Sequence, residues 1–150
     1  MAVRVQREDF DPGAEVTALT AGNAGIGSIV SFVGLVRDMA GDSPIRSMTL
    51  EHYPGMTERK LREIEEEANR RWPLDASLIV HRYGKLEPGE RIVLVAAASP
   101  HRDAAFDACR FLIDWLKTQA PFWKQEETPD GPRWVEAKAS DNEAAERWRG

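Results

Sequence analysis

Residues 101–120 contain neither glycine nor proline, and Pro100 and Pro121 bracket them. At 100° per residue, Ala104, Ala105, Phe106, Ala108, Cys109, Phe111, Leu112, Ile113, Trp115 and Leu116 cover roughly 220° of a helix circumference. Asp103, Asp107, Arg110, Asp114, Lys117 and Thr118 fill the remaining arc. A helix with so wide an apolar arc is buried on more than one side, against a sheet and against a second subunit. Ser99 is a good N-cap, Pro100 suits the first helical position, and Pro121 closes the far end.

The rest of the chain reads mostly as strand. Residues 2–6, 28–37 (SIVSFVGLVR), 45–53 (IRSMTLEHY), 77–83 (SLIVHRY) and 91–98 (RIVLVAAA) are rich in β-branched residues or alternate. A Pro-Gly turn between the last two predicts an antiparallel pair. Residues 122–126 and 133–137 flank ETPDGP as a further hairpin. Residues 13–21 are weakly helical, 22–28 (GNAGIGS) form a turn and 38–44 (DMAGDSP) a polar loop. Thr57 is placed to cap a helix reaching about Arg71, with Leu61, Ile64 and Ala68 as its apolar stripe, and Ser140 or Asp141 starts a short C-terminal helix. Strand pairs and helices in this irregular order predict one α+β domain over 1–150, with mostly antiparallel sheet.

Bulk composition narrows the function classes. The chain has 150 residues, 42% hydrophobic and 30% charged, as in ordinary globular proteins. A chain of this length buries roughly 70% of its unfolded surface and needs no staple. The net charge of -5 argues against nucleic acid or an anionic membrane as partner, so an anion must be held by a local basic cluster. The single cysteine, Cys109, excludes an internal disulfide and any multi-cysteine zinc site. No apolar run is long enough to span a membrane, and the N-terminus lacks the apolar core of a secretory signal. A cytoplasmic setting is expected.

Several motifs carry little chemistry. GNAGIGS lacks the third glycine of a dinucleotide loop and precedes a strand, where such a loop opens a helix. His52, His81 and His101 show no metal-ligand spacing, and no metal or cofactor is expected. Cys109 falls within the apolar arc, which points to an inert core thiol. Ser99-Pro100-His101-Arg102 is more informative, because a cation and an imidazole sit where a helix opens. The same residues also fit a plain cap with an exposed arginine. Arg37 closes an apolar strand, as an anion ligand or as half of an ion pair with Asp38. Lys117 and Lys124 flank the Pro121 turn among aromatics. Lys117 also fits a modest surface ion pair. Partial burial of Lys124 would make a neutral amine available as base or nucleophile.

Taken in order, FVGLVRD (32–38), LEHYPGMTE (50–58), HRYGKLEPGE (81–90), SPHRDAAFDA (99–108), DWLKTQAPFWKQE (114–126) and RWVEAKASD (133–141) resemble the MoaE family, the large catalytic subunits of molybdopterin synthase. The resemblance spans nearly the whole chain. It implies an α/β-hammerhead-type fold with a small added β subdomain. It implies a homodimer carrying a small ubiquitin-like subunit at each end, a heterotetramer in all. That partner delivers sulfur as a C-terminal Gly-Gly thiocarboxylate. The implied reaction installs two sulfurs on cyclic pyranopterin monophosphate, making the molybdopterin dithiolene in molybdenum cofactor biosynthesis. Lys117 and Lys124 match the family's essential lysines. Arg37, His101 and Arg102 match its phosphate-holding residues, and Lys138 matches a basic position that is arginine in some relatives. Lysine there would lose bidentate phosphate contact.

His101 and Lys117 lie sixteen positions apart on one helix, about 24 Å along its axis. Their side chains cannot both reach one small pterin. A composite site is therefore expected, with Lys117 and Lys124 of one subunit facing His101 and Arg102 of another. Two other readings stay open from residues alone. One is a binding module for a ubiquitin-like tail that does not need Lys117. The other is an unrelated phosphate-ester enzyme using Ser99–Arg102 without a protein partner.

Overall fold

The computed structural model describes residues 2–135 and 139–149. In chain order it runs β1 (Ala2–Gln6), α1 (Pro12–Thr20), β2 (Ser28–Leu35), β3 (Met39–Ala40), β4 (Ser43–Pro44), β5 (Ser47–His52) and α2 (Met56–Arg71). There follow β6 (Ala76–Arg82), β7 (Gly84–Leu86), β8 (Arg91–Ser99), α3 (Arg102–Gln119), β9 (Phe122–Thr128), β10 (Gly131–Val135) and α4 (Ala139–Glu146). One four-stranded sheet has the order β1-β6-β8-β2, a second the order β10-β9-β5-β7, and β3 and β4 form a two-stranded ribbon. Every pairing is antiparallel except that of β1 with β6. This is the α+β, mostly antiparallel architecture expected, with the second sheet as the added β unit.

The first sheet is covered on both faces, which explains why β6 and β8 are apolar at nearly every position. Ile79, Val93, Val95 and Ala97 face α2 and α3, packing with Leu61, Ile64, Ala68, Phe111 and Leu112. Leu78, Val80, Leu94 and Ala96 face the other way, against Phe10 and Leu19 of the α1 side. The α2 stripe is buried, as its spacing predicts. Cys109 is also buried, its Sγ 3.7 Å from the Val95 carbonyl oxygen, and burial pushes its thiol up to about 12. It is a core residue.

Four local expectations are corrected. Thr57 does not cap α2, because Gly55 holds that position at φ 84° and its N–H donates to Glu58 Oε2 at 3.1 Å. Thr57 is buried instead. Its hydroxyl accepts from the Tyr53 N–H (3.0 Å) and donates to the Pro121 carbonyl (3.2 Å), tying α2 to the end of α3. Ser99 ends β8 rather than capping α3, and its hydroxyl donates to the Pro73 carbonyl at 2.8 Å; His101 is the N-cap. The 28–37 strand stops at Leu35, where its register with β8 slips, and the 38–44 loop folds into the β3–β4 ribbon.

Candidate active site

The ends of α3 and the Pro121 turn decide where the lysines stand. Alpha-3 runs unbroken to Gln119 and is capped by Ala120, and β9 leaves at once in a new direction, with the Phe122 N–H bonded to the Ala120 carbonyl at 2.9 Å. Lys117 sits on the last turn of the helix. Beta-9 alternates, so Phe122, Lys124 and Glu126 share one face. Arg37 follows the end of β2 and the adjacent Val36, whose N–H is held by the Glu90 carbonyl at 2.9 Å. These three origins converge. Arg37, Lys117 and Lys124 line one cavity of about 330 Å³ at the junction of the two sheets. Leu35, Ile92, Met48, Phe122 and Val135 make its apolar walls, and Ala40 of the ribbon closes one side.

The cavity also holds groups that the residue motifs did not single out. Glu126 and Asp141 line it with Thr118. Glu126 is 5% exposed, and its Oε2 has no hydrogen-bond partner among the described residues, with Arg133 Nη2 at 3.5 Å. The alternation in FWKQE, which puts positions 124 and 126 on one face, was the available signal for Glu126. Asp141 comes from α4, and nothing local in the sequence ties it to the cavity. Three cations against two carboxylates leave the site with a net positive character, despite the acidic whole. Among the large apolar side chains near the sequence motifs, Phe122 lines this cavity. Met56 is exposed, Trp123 packs edge-on against Tyr53, and Phe32 lies in a different groove.

His101 and Arg102 are not part of the cavity. They are exposed at the opposite end of the same continuous helix, so one copy of the chain does not bring them to the lysines. Arg37, grouped with them by the family pattern, stands instead beside the lysines. Lys138 lies outside the described residues.

A second groove runs between the edge strand β2 and α3, lined by Val30, Phe32, Phe106, Cys109 and Ile113 with Asp107, Arg110 and Asp114. Phe106 is 60% exposed and Phe32 39% exposed. Along α3, Phe106, Arg110, Ile113 and Lys117 recur at spacings of four, three and four, so they form one stripe.

Comparison with known proteins identifies the family of the fold. Residues 5–119 match the family model described as MoaE protein. The molybdopterin synthase catalytic subunit of Pseudomonas aeruginosa is 60% identical over 148 residues, covering 99% of each chain. The fold superposes on the molybdopterin biosynthesis MoaE protein of Burkholderia ambifaria with a TM-score of 0.84 at 53% identity, covering 99% of this chain and 98% of that one. A likeness of fold alone, at 19% identity, TM-score 0.71 and coverage of 91% and 90%, extends to a chain in the complex of subunits 1 and 2 of molybdopterin-converting factor from Helicobacter pylori. With the family model matching residues 5–119 and a 60% identical relative covering nearly its full length, the chain belongs to the MoaE family.

Proposed function

We propose that this chain, acting as one domain over 1–150, is the catalytic subunit of a cytoplasmic molybdopterin synthase. It transfers sulfur from the C-terminal thiocarboxylate of a small ubiquitin-like subunit to cyclic pyranopterin monophosphate, twice, to make the dithiolene. The observation that carries this reading is the gathering of Arg37, Lys117 and Lys124, from three separate elements, in one cavity. An anionic tail and a phosphate ester both need cations, and an acidic protein offers them here.

In this mechanism the thiocarboxylate sulfur forms the new carbon–sulfur bond to a side-chain carbon of the pterin as that carbon's bond to oxygen breaks, and the displaced oxygen takes up a proton and leaves as water or as a freed phosphate-ester hydroxyl. Water then cleaves the acyl–sulfur bond, so the tail leaves as a carboxylate and the sulfur stays on the substrate. Lys117 contacts the thiocarboxylate carbonyl or moves a proton at the sulfurated carbon. Lys124 supports the tail or the substrate, and Arg37 orients the phosphate. No cysteine of this chain takes part, in keeping with the buried Cys109.

The site is completed by a second copy. An antiparallel pairing of α3 with its two-fold mate brings residue 101 of one copy opposite residue 117 of the other when the axis passes near position 109, the mean of the two numbers. The stripe formed by Phe106, Arg110, Ile113 and Lys117 spans that position, with its centre less than one turn further along the helix, and its apolar members are exposed or half-exposed. His101 and Arg102 of the second copy then supply the remaining phosphate contacts.

Reconstitution tests the reading. This protein, a thiocarboxylated small subunit and cyclic pyranopterin monophosphate should yield dithiolene product. Lys117→Ala should keep partner binding and lose turnover. A stable complex without product points to a tail-binding module instead, and normal single-turnover chemistry with lost binding contradicts the role given to Lys117.

A further inference from the structure

Behind the row formed by Phe122 and Lys124 lies a histidine that the mechanism above does not use. His81 projects from β6 and is 3% exposed. Its ring stacks on Phe122, with centroids 3.8 Å apart and planes 18° apart. Its Nδ1 is 2.8 Å from the Arg82 carbonyl oxygen. A carbonyl only accepts, so Nδ1 carries the proton and Nε2 is left with its lone pair. Burial, then Lys124, Lys117 and His52, push the imidazole down to about 3, against the Arg82 carbonyl, which favours the protonated form. The ring is therefore a neutral acceptor beside two cationic amines. A charged group at this place would add a further cation to a cavity that already holds three.

We infer that His81 is a positioning residue for the cavity lysines: its Nε2 accepts a hydrogen bond from the Lys124 amine and holds it, with Lys117 alongside, in the orientation used for sulfur transfer. Phe122 fixes the ring plane and the Arg82 carbonyl fixes the tautomer, so the direction of the Nε2 lone pair is set before substrate arrives. The kinetic part of this inference rests on the function proposed above, and the spectroscopic part does not.

Two measurements test it. In the full-length wild-type protein, the ring nitrogens of His81 are followed by nitrogen-15 NMR. The Nε2 resonance should report a hydrogen-bonded lone pair and should move in Lys124→Ala. A resonance unmoved in Lys124→Ala overturns the inference, whether or not the protein turns over. In the reconstituted assay, His81→Phe keeps an aromatic ring for the stack and removes the acceptor. Its kcat should fall by about tenfold to a hundredfold with KM and small-subunit affinity nearly unchanged. His81→Gln, which restores an acceptor, should recover most of that loss. Equal activity of the Phe and Gln variants, or a loss confined to KM, overturns it. Failure of the wild type to form dithiolene is a failure of the proposed function and leaves the NMR result to decide. The same NMR result decides if the Phe variant does not fold.

Discussion

A buried imidazole makes folding sensitive to acid even where it is remote from solvent. The folded pKa of His81 lies near 3, against about 6.5 for an exposed histidine. Between those values the unfolded chain binds the extra proton and the folded one does not, so stability falls as pH drops through this window. Fully expressed, the effect is about 3–5 kcal/mol. Glu65 works in the opposite sense. Burial raises its carboxyl pKa, partly offset by the Ser77 hydroxyl at 2.7 Å, so its protonation favours the folded state on acidification. Urea unfolding at pH 7 and pH 4 should therefore show a shallower loss in His81→Gln and a steeper one in Glu65→Gln. Equal slopes for wild type and His81→Gln contradict the buried neutral ring. At this scale the sequence was informative about Cys109, because an apolar arc surrounds it. It was silent about the place of His81, which depends on the approach of strands far apart in the chain, while strand alternation alone would have put Glu126 on the face of Lys124.

At the level of elements, periodicity located the helices and strands well, while the capping chemistry misled. Thr57 and Ser99 have the hydroxyls of good caps, and both use them elsewhere. Thr57 bridges Tyr53 and Pro121, and Ser99 reaches Pro73. Each hydroxyl accepts from a nearby N–H, Tyr53 for Thr57 and His101 for Ser99, but donates to a distant carbonyl, and the distant partners are not written in local spacing. The turn before β2 carries a similar tertiary demand. The Gly27 N–H bonds the Ser99 carbonyl at 3.0 Å, and a Cβ at Gly27 would stand 2.3 Å from the Pro100 carbonyl oxygen. Gly27→Ala should cost about 1–3 kcal/mol in urea unfolding, and it should disturb the entry to α3 where His101 and Arg102 stand. In α2, Leu61→Ala should cost about 2–5 kcal/mol by leaving a cavity under a fully buried side chain. A loss under 1 kcal/mol would mean that α2 is held by something other than its stripe.

For the whole molecule, the decisive observation is negative for a single copy: α3 has no break, and its two functional ends stay apart. The length of that helix was legible in the sequence, and with it the separation of His101 from Lys117. The placement of Arg37 beside the lysines was not, since it depends on how the end of β2 meets the second sheet. Subunit mixing tests the assembly directly. Lys117→Ala and Arg102→Ala should each be inactive alone. Exchanged at equal amounts, half the dimers are mixed, and each mixed dimer has one site with both native residues, so about a quarter of the wild-type activity should return. A site built within one copy would recover none. Phe106→Asp should weaken self-association in analytical ultracentrifugation and lower turnover in parallel.

An unbroken α-helix is also a ruler. Each residue adds 1.5 Å of rise and 100° of rotation. In the proposed two-fold assembly, the stretch between His101 and Lys117 would set at once the gap each site must bridge and the separation of the two sites. One inserted residue would change both sites together and swing the cation off its facing surface. The count of residues from His101 to Lys117 would then be a shared dimension of two catalytic centres.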